Sequence, residues 1–228
     1  MIDIPNTTLF MLMSLDGKIS TGSTDELDVD KDLKLIDGVK DGLHQYYEIE
    51  QTTDLWSLNT GRVMKKIGIN ERTDIPSKIP VSFILIDNKQ HINEKGLQYL
   101  SNWLTKVIIV TTKKDYINIG DNIEIIYYEE NVDFASLFKT LRIKYNVEDL
   151  TIQSGGTLNS ELIRSNLIKR IRVIIAPVII GGKDTSTLVD GISIANRSEL
   201  SKLKALKLIK CNMLENSYIE LLYDVIGI

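Results

Sequence analysis

The chain has 228 residues, 43% of them apolar, and a formal charge of −4. Its length allows one substantial core, and its interspersed acidic and basic residues leave no basic stripe for a polyanionic backbone, which excludes nucleic acid as a partner. No apolar run approaches the roughly 20 residues that span a bilayer, and Asp3 and Pro5 stand where a signal peptide would be basic and then apolar, so a cytoplasmic protein without membrane association is expected.

Residues 7–13 form a short, almost continuously apolar run, as in a central strand buried on both faces, and end at a turn over Ser14–Gly17. Between 31 and 50, Leu35, Ile36, Val39, Leu43 and Tyr46 share one helical face behind a possible Asp30 cap, which predicts the first long helix. A strand over Asp54–Leu58 follows, with Asn59–Arg62 leading into a short helix over Val63–Ile67. Strands are expected over 80–87, 106–111 and 122–127, a helix over 94–103, and an amphipathic helix over 133–145 with Phe134, Leu137, Phe138, Leu141 and Tyr145 inward. The stretch Thr151–Leu158 reads as a buried strand running through Gly155-Gly156 into a helix. A strand over Ile171–Ile180 and two more over Lys204–Met213 and Ser217–Val225, joined by the tight Leu214-Glu215-Asn216 turn, complete the chain as an antiparallel hairpin.

No linker or internal repeat divides these elements, so a single domain over 1–228 is expected. The repeated β-α-β order argues for a mostly parallel central sheet with helices on both faces, closed by the C-terminal hairpin. That α/β arrangement matches the dihydrofolate-reductase fold better than a dinucleotide-binding Rossmann domain, whose Gly-x-Gly-x-x-Gly after the first strand is absent.

The glycine pair carries the first functional signal. Adjacent glycines let the backbone approach an anion, and the following helix presents unpaired N–H groups at its positive end, a geometry suited to the phosphates of a nucleotide cofactor. The alternative is a turn that only packs. The single Cys211 excludes an internal disulfide, and its alternating apolar setting marks it as a small core residue. His44 and His91 have no supporting ligand pattern and read as surface or capping residues, so no metal site and no hydrolase triad is expected.

Taken together, Ser14-x-Asp16-Gly17-Lys18, Gln153-Ser154-Gly155-Gly156-x-Leu158, Asn166-Leu167-Ile168, and Ala176-Pro177 leading to Gly181-Gly182 resemble the C-terminal reductase domain of the riboflavin-biosynthesis deaminase-reductases and its free-standing relatives, which share the dihydrofolate-reductase fold. The resemblance spans nearly the whole chain. It implies an NADPH-dependent reductase, of the type that reduces the ribosyl group of 5-amino-6-(5-phosphoribosylamino)uracil to ribityl. The family's deaminase half needs His-x-Glu and Pro-Cys-x-x-Cys, which a chain with one cysteine cannot supply, so a stand-alone reductase is implied.

Carried onto this sequence, the resemblance implies that Met13, Ser154, Gly155, Gly156, Thr157 and Leu158 contact the cofactor, the last four at its pyrophosphate. Gly61-Arg62 resembles a Gly-Arg-x-Thr helix start near the cofactor phosphates, with Met64 in place of the threonine, and Arg62 would pair with a 2′-phosphate. Asp16 is the candidate catalytic residue, touching substrate or ordering a proton-donating water; a turn-forming role is its alternative. Lys18, Arg72 and Gln153 are candidate substrate ligands, Gln153 standing where the family typically has a glutamate and keeping hydrogen bonding without charge. The polar loop Gly181–Thr187 either closes over a ligand or simply connects. The alternating strand Ser217–Tyr223 offers an edge or face of the kind family members bury in homodimers. Two other readings stay open: a reductase of the same fold acting on a pterin or another small carbonyl or heterocyclic compound, and a protein that binds nucleotide without catalysis.

Overall fold

The computed structural model describes residues 4–117 and 119–227; Asp3 lies outside them. In chain order the elements are β1 (Asn6–Ser14), α1 (Val29–Asp32), α2 (His44–Glu50), β2 (Trp56–Thr60), α3 (Gly61–Lys66), β3 (Ile79–Ile86), α4 (Glu94–Trp103), β4 (Leu104–Thr111), β5 (Ile123–Tyr127), α5 (Phe134–Lys144), β6 (Asp149–Ile152), α6 (Gly156–Arg164), β7 (Arg170–Ala176), β8 (Ala205–Met213) and β9 (Ile219–Ile226). They group into two compact units, one of Asp54–Ser154 with the stretch up to Asn6, the other of Thr7–Thr53 and the chain from Gly155 onward.

In the first unit, β5, β4, β3, β2 and β6 lie side by side, every neighbouring pair parallel. Parallel strands covered on both faces select continuous apolar runs, and Val107, Ile108, Ile109 and Val110 of β4 are all fully buried. One face packs on α3 and α4 through a cluster that includes Met64, Ile92, Leu97 and Leu100. The helices start on side-chain caps: Thr60 accepts from the Val63 N–H, Asn93 from Gly96 and Asp133 from Ser136. The amphipathic reading of α5 holds for Phe134, Leu137, Phe138 and Leu141, which are buried. Tyr145 instead stands half-buried as the C-cap and donates its hydroxyl to Glu124.

In the second unit, β1 pairs with β7 in parallel, β7 with β9 antiparallel, and β9 with β8 antiparallel. A mostly parallel sheet with an antiparallel C-terminal hairpin is therefore the architecture, as expected. Its core gathers Phe10, Leu12, Leu33, Tyr46, Ile174 and Tyr218, with Phe10 stacked on Tyr46 at 5.3 Å between ring centroids. On the hairpin Glu220 is almost fully buried; burial alone would raise its carboxyl, but Lys210 and Arg172 hold it below the ordinary glutamate value.

Several expectations are corrected. The long helix over 31–50 is broken into α1, two short 3₁₀ turns and α2, because Gly38 takes a left-handed φ of +81° and the chain turns there. Val39, Leu43 and Tyr46 stay inward as the periodicity required, whereas Leu35 is 81% exposed. The cap is Asp28, accepting from the Asp30 N–H, not Asp30. The strand over 171–180 stops at Ala176, since Pro177 has no N–H to continue a ladder. Cys211 is exposed on β8 rather than in the core. The strand over 217–223 lies between β7 and β8, so the open edge belongs to β8. Among the described residues, no helix is long and apolar enough to cross a membrane, and no group of three or more His, Cys, Asp and Glu side chains could hold a metal.

Candidate active site

In the second unit the turn after β1 and the segment after β7 are stitched together. Leu15 N–H donates to the Val178 carbonyl, Ile19 N–H to Ser186 and Leu188 N–H to Gly17. Asp16 accepts from the Ser14 hydroxyl and from the backbone N–H groups of Ile180 and Gly181. The Ser14 hydrogen bond, with the two backbone donors, holds the Asp16 carboxyl down at about 2. Two residues on, Lys18 is nearly buried, and its ammonium donates to the carbonyls of Gly182 at 2.7 Å and Thr185 at 2.9 Å. The Gly181–Thr187 loop is thus fastened to the 14–19 turn. Met13 is half-buried near the end of β1, in register with Ile175.

The two glycines before α6 have different surroundings. A Cβ on Gly156 would lie 2.3 Å from the Thr187 carbonyl oxygen and 2.5 Å from Asp190 Oδ2, so this glycine is required by close packing. Asp190 in turn donates its N–H to the Gly156 carbonyl and accepts from the Thr187 backbone and hydroxyl, while Asn159 donates to the Leu188 carbonyl. A Cβ on Gly155 would meet nothing within 4 Å. Gly155 is the N-cap of a nine-residue helix whose first turn carries no acidic residue and no side-chain cap. Thr157 is exposed and Leu158 half-buried on that turn, and Ser154 is buried just before it. An uncapped helix start with open space at its N-cap and no negative side chain in its first turn is suited to a phosphate.

In the first unit Gly61 and Arg62 open α3, as the Gly-Arg pattern implied. Gly61 packs directly on Asp87, whose Cγ would sit 2.2 Å from an added Cβ. Asp87 is the residue that sequence reasoning missed. It follows β3, its carboxylate is fully buried, and it accepts from the backbone N–H groups of His91 and Ile92, the His91 ring at 2.8 Å and the Tyr116 hydroxyl at 2.8 Å. Burial, then the Asp87 charge, pushes the Tyr116 phenol well above its ordinary value. His91 is therefore tied to a buried carboxylate, while His44 opens α2 at the surface.

Gln153 follows β6, and its side-chain oxygen accepts from the Ser57 hydroxyl, which itself accepts from the Asn59 amide. Thr151, opposite Ser57 in the ladder, donates to Asp54. A polar stripe thus crosses β2 and β6, and the alternation of Ser57 and Asn59 with Trp56 and Leu58 was its available signal. Arg72 lies elsewhere in this unit, its guanidinium 5.8 Å from the Tyr99 ring of α4 and within 3.9 Å of Asp74.

The comparisons with known proteins converge. Residues 5–219 match the model of the RibD C-terminal domain family. The 2,5-diamino-6-ribosylamino-4(3H)-pyrimidinone 5′-phosphate reductase of Archaeoglobus fulgidus is 26% identical over 84% of this chain and 89% of its own length. The reductase of the same name from Methanothermobacter thermautotrophicus is 24% identical, over 88% of this chain and 90% of its own. Among solved structures, Acinetobacter baumannii RibD superposes with a TM-score of 0.67 at 14% identity, covering 99% of this chain, which spans 59% of that protein. The Saccharomyces cerevisiae riboflavin biosynthesis reductase Rib7 superposes with a TM-score of 0.63 at 16% identity, over 97% of this chain and 90% of that one.

Proposed function

The chain belongs to the RibD C-terminal domain family, and from that membership we propose that it is an NADPH-dependent reductase of riboflavin biosynthesis, reducing the ribosyl group of a 5′-phosphorylated ribosylaminopyrimidine to ribityl. The observation that carries the reading is the uncapped start of α6 at Gly155, in a chain that two reductases of this pathway step resemble over nearly their whole length. Those two relatives bear the name of the 2,5-diaminopyrimidinone, so that compound is tested beside 5-amino-6-(5-phosphoribosylamino)uracil.

In this reading the N–H groups of Gly156, Thr157 and Leu158 take the cofactor pyrophosphate and Met13 borders the cofactor; within the first unit, taken by itself, Ser154 and the Gly61-Arg62 start of α3 are the candidate cofactor contacts. The nicotinamide supplies hydride when bound, so the protein needs no nucleophile of its own. Lys18 spends two of its three N–H donors on backbone carbonyls and turns the third to a substrate oxygen. Also within the first unit, taken by itself, Gln153, its amide oriented by Ser57, is the candidate donor to a pyrimidine and Arg72 the candidate for a phosphate.

Calorimetric titration with NADPH and NADH, followed by absorbance assays of NADPH oxidation with each pyrimidine, tests the proposal. Selective NADPH binding and turnover of one pyrimidine are expected. Binding without oxidation would leave a nucleotide-binding protein, and no binding of either nucleotide would overturn the cofactor site.

We further propose that two copies associate through β8. This nine-residue strand pairs on one side only, is exposed on both faces, and carries Leu206, Leu208, Ile209 and the 90%-exposed Met213 along its open edge. Lys207 and Lys210 interrupt the strand, but its unpaired edge with four exposed apolar side chains offers a surface for a second copy. Light scattering is expected to give a dimer that Leu208→Lys with Met213→Lys converts to monomer; a wild-type monomer at working concentration rejects the association.

A further inference from the structure

We infer that Asp16 is a positioning residue that works through Lys18: its carboxylate fastens the backbone of Ile180 and Gly181 to the Ser14–Gly17 turn, and that fastening holds the carbonyls of Gly182 and Thr185 around the Lys18 ammonium. The grip has complementary polarity. An anion takes the first two N–H groups of the six-residue stretch 180–185, and a cation two residues away in sequence takes the carbonyls of its third and last residues. Gly181 and Gly182 make this possible, since both hold left-handed φ values, of +72° and +82°, a backbone conformation that favours glycine and lets the loop turn between the two grips. Gly17 between Asp16 and Lys18 is likewise left-handed, at +79°, and closes the turn by donating its N–H to the Ser14 carbonyl.

The hydrogen bonds show how Asp16 is employed. Oδ1 accepts from the Ser14 hydroxyl and the Ile180 N–H, and Oδ2 accepts from the Gly181 N–H. A proton taken up by this carboxylate would displace donors that hold the loop, which suits a permanent anion and not an acid that cycles at each turnover. Ser14 joins the two grips: its hydroxyl donates to Asp16 and also accepts from the Lys18 N–H. Lys18 then presents its remaining N–H from a fixed position, the ammonium being held by two carbonyls. The consequence for binding rests on the reductase reading of Lys18; the fastening of the loop does not.

The test compares wild type with Asp16→Asn and Asp16→Glu in the full chain. The carboxamide of Asn keeps one acceptor but turns an NH₂ toward a backbone donor, so amide exchange across residues 178–187 is expected to speed about tenfold. KM for the pyrimidine should rise about tenfold with kcat changed less than threefold, the pH–rate profile should keep both limbs, and Asp16→Glu should restore part of the KM. An unchanged exchange rate, or a fall in kcat with loss of one pH limb at constant KM, would overturn the inference. If wild type turns over neither pyrimidine, the reductase reading fails while the exchange measurement still decides the fastening. Should Asp16→Asn not fold, Ser14→Ala, which removes the hydroxyl and leaves the carboxylate, is expected to loosen the same segment, and unchanged exchange there counts against it.

Discussion

Alanine at position 156 is expected to destabilise the protein by about 3 kcal/mol, whereas alanine at 155 should change its stability by less than about 1 kcal/mol. The added methyl at 156 would fall within 2.5 Å of a backbone oxygen and a carboxylate oxygen, and neither can retreat cheaply. Thr187 is bridged to Lys18, and Asp190 is bonded to both Thr187 and the Gly156 carbonyl. Relief would require the whole 185–190 segment to lift from α6. At 155 the backbone φ of −73° suits any L-residue and the space is open. The cofactor should reverse the ranking. If phosphate lies against Gly155, Gly155→Ala weakens NADPH at least tenfold while leaving thermal unfolding by circular dichroism nearly unmoved. A Gly156→Ala protein as stable as wild type would show that the packing around Thr187 yields, and full NADPH affinity in Gly155→Ala would move the phosphate elsewhere.

Asp87→Ala is expected to be the more damaging change, at about 4 kcal/mol, because it strands buried donors and does not merely crowd a contact. Four donors converge on this carboxylate, two from the backbone, one from His91 and one from Tyr116. Removing the acceptor leaves all four to find partners where side-chain exposure at Asp87 is nil. Asp87→Asn keeps one acceptor and should fall between alanine and wild type. Tyr116→Phe, which removes a single bond, should cost about 1 kcal/mol. Trp56 and Trp103 both belong to the unit that holds Asp87, so urea unfolding followed by tryptophan fluorescence reads this region directly. A midpoint for Asp87→Ala within about 1 kcal/mol of wild type would mean that water satisfies the donors instead.

The sequence made the strands legible because parallel strands demand continuous apolar runs, and β3, β4 and β5 begin and end within two residues of where those runs do. Helices α4 and α5 were equally plain, each with a cap residue just ahead of a 3.6-residue pattern. The region of 31–50 was not. Its apolar spacing reflects real burial of Val39, Leu43 and Tyr46, but a spacing argument does not register that Gly38 breaks the helix while keeping those side chains inward. For the candidate site, the glycine pair, the Asp16-Gly17-Lys18 turn and the Gly181–Thr187 loop stood out, while the link between them did not. That the Ile180 and Gly181 N–H groups bind Asp16, that the Gly182 and Thr185 carbonyls hold Lys18 and that Asp190 packs on Gly156 emerges only from contacts between segments far apart in the chain. Asp87 carried no signal at all, since an aspartate after an apolar strand reads as a loop residue until its donors are in place.

The interruption of one unit by the other has a consequence for how the chain acquires its structure. Residues 54–154 are contiguous, and their strands can pair as soon as they are made, with Asp54 and Thr151 meeting by hydrogen bonds near the two ends of the segment. The unit that holds Asp16 and the glycine pair has no such opportunity. Thr8 in β1 waits for Arg170 in β7, and the Asp16 carboxylate waits for Ile180, so this half is left open throughout the synthesis of the other. Its apolar β1 must wait for β7 while about 150 residues are made, roughly eight to thirty seconds at ordinary elongation rates. Refolding from denaturant should accordingly show tryptophan signals from the contiguous unit recovering ahead of tertiary signals from the tyrosines that surround Phe10, because the long loop must close before the second core can form.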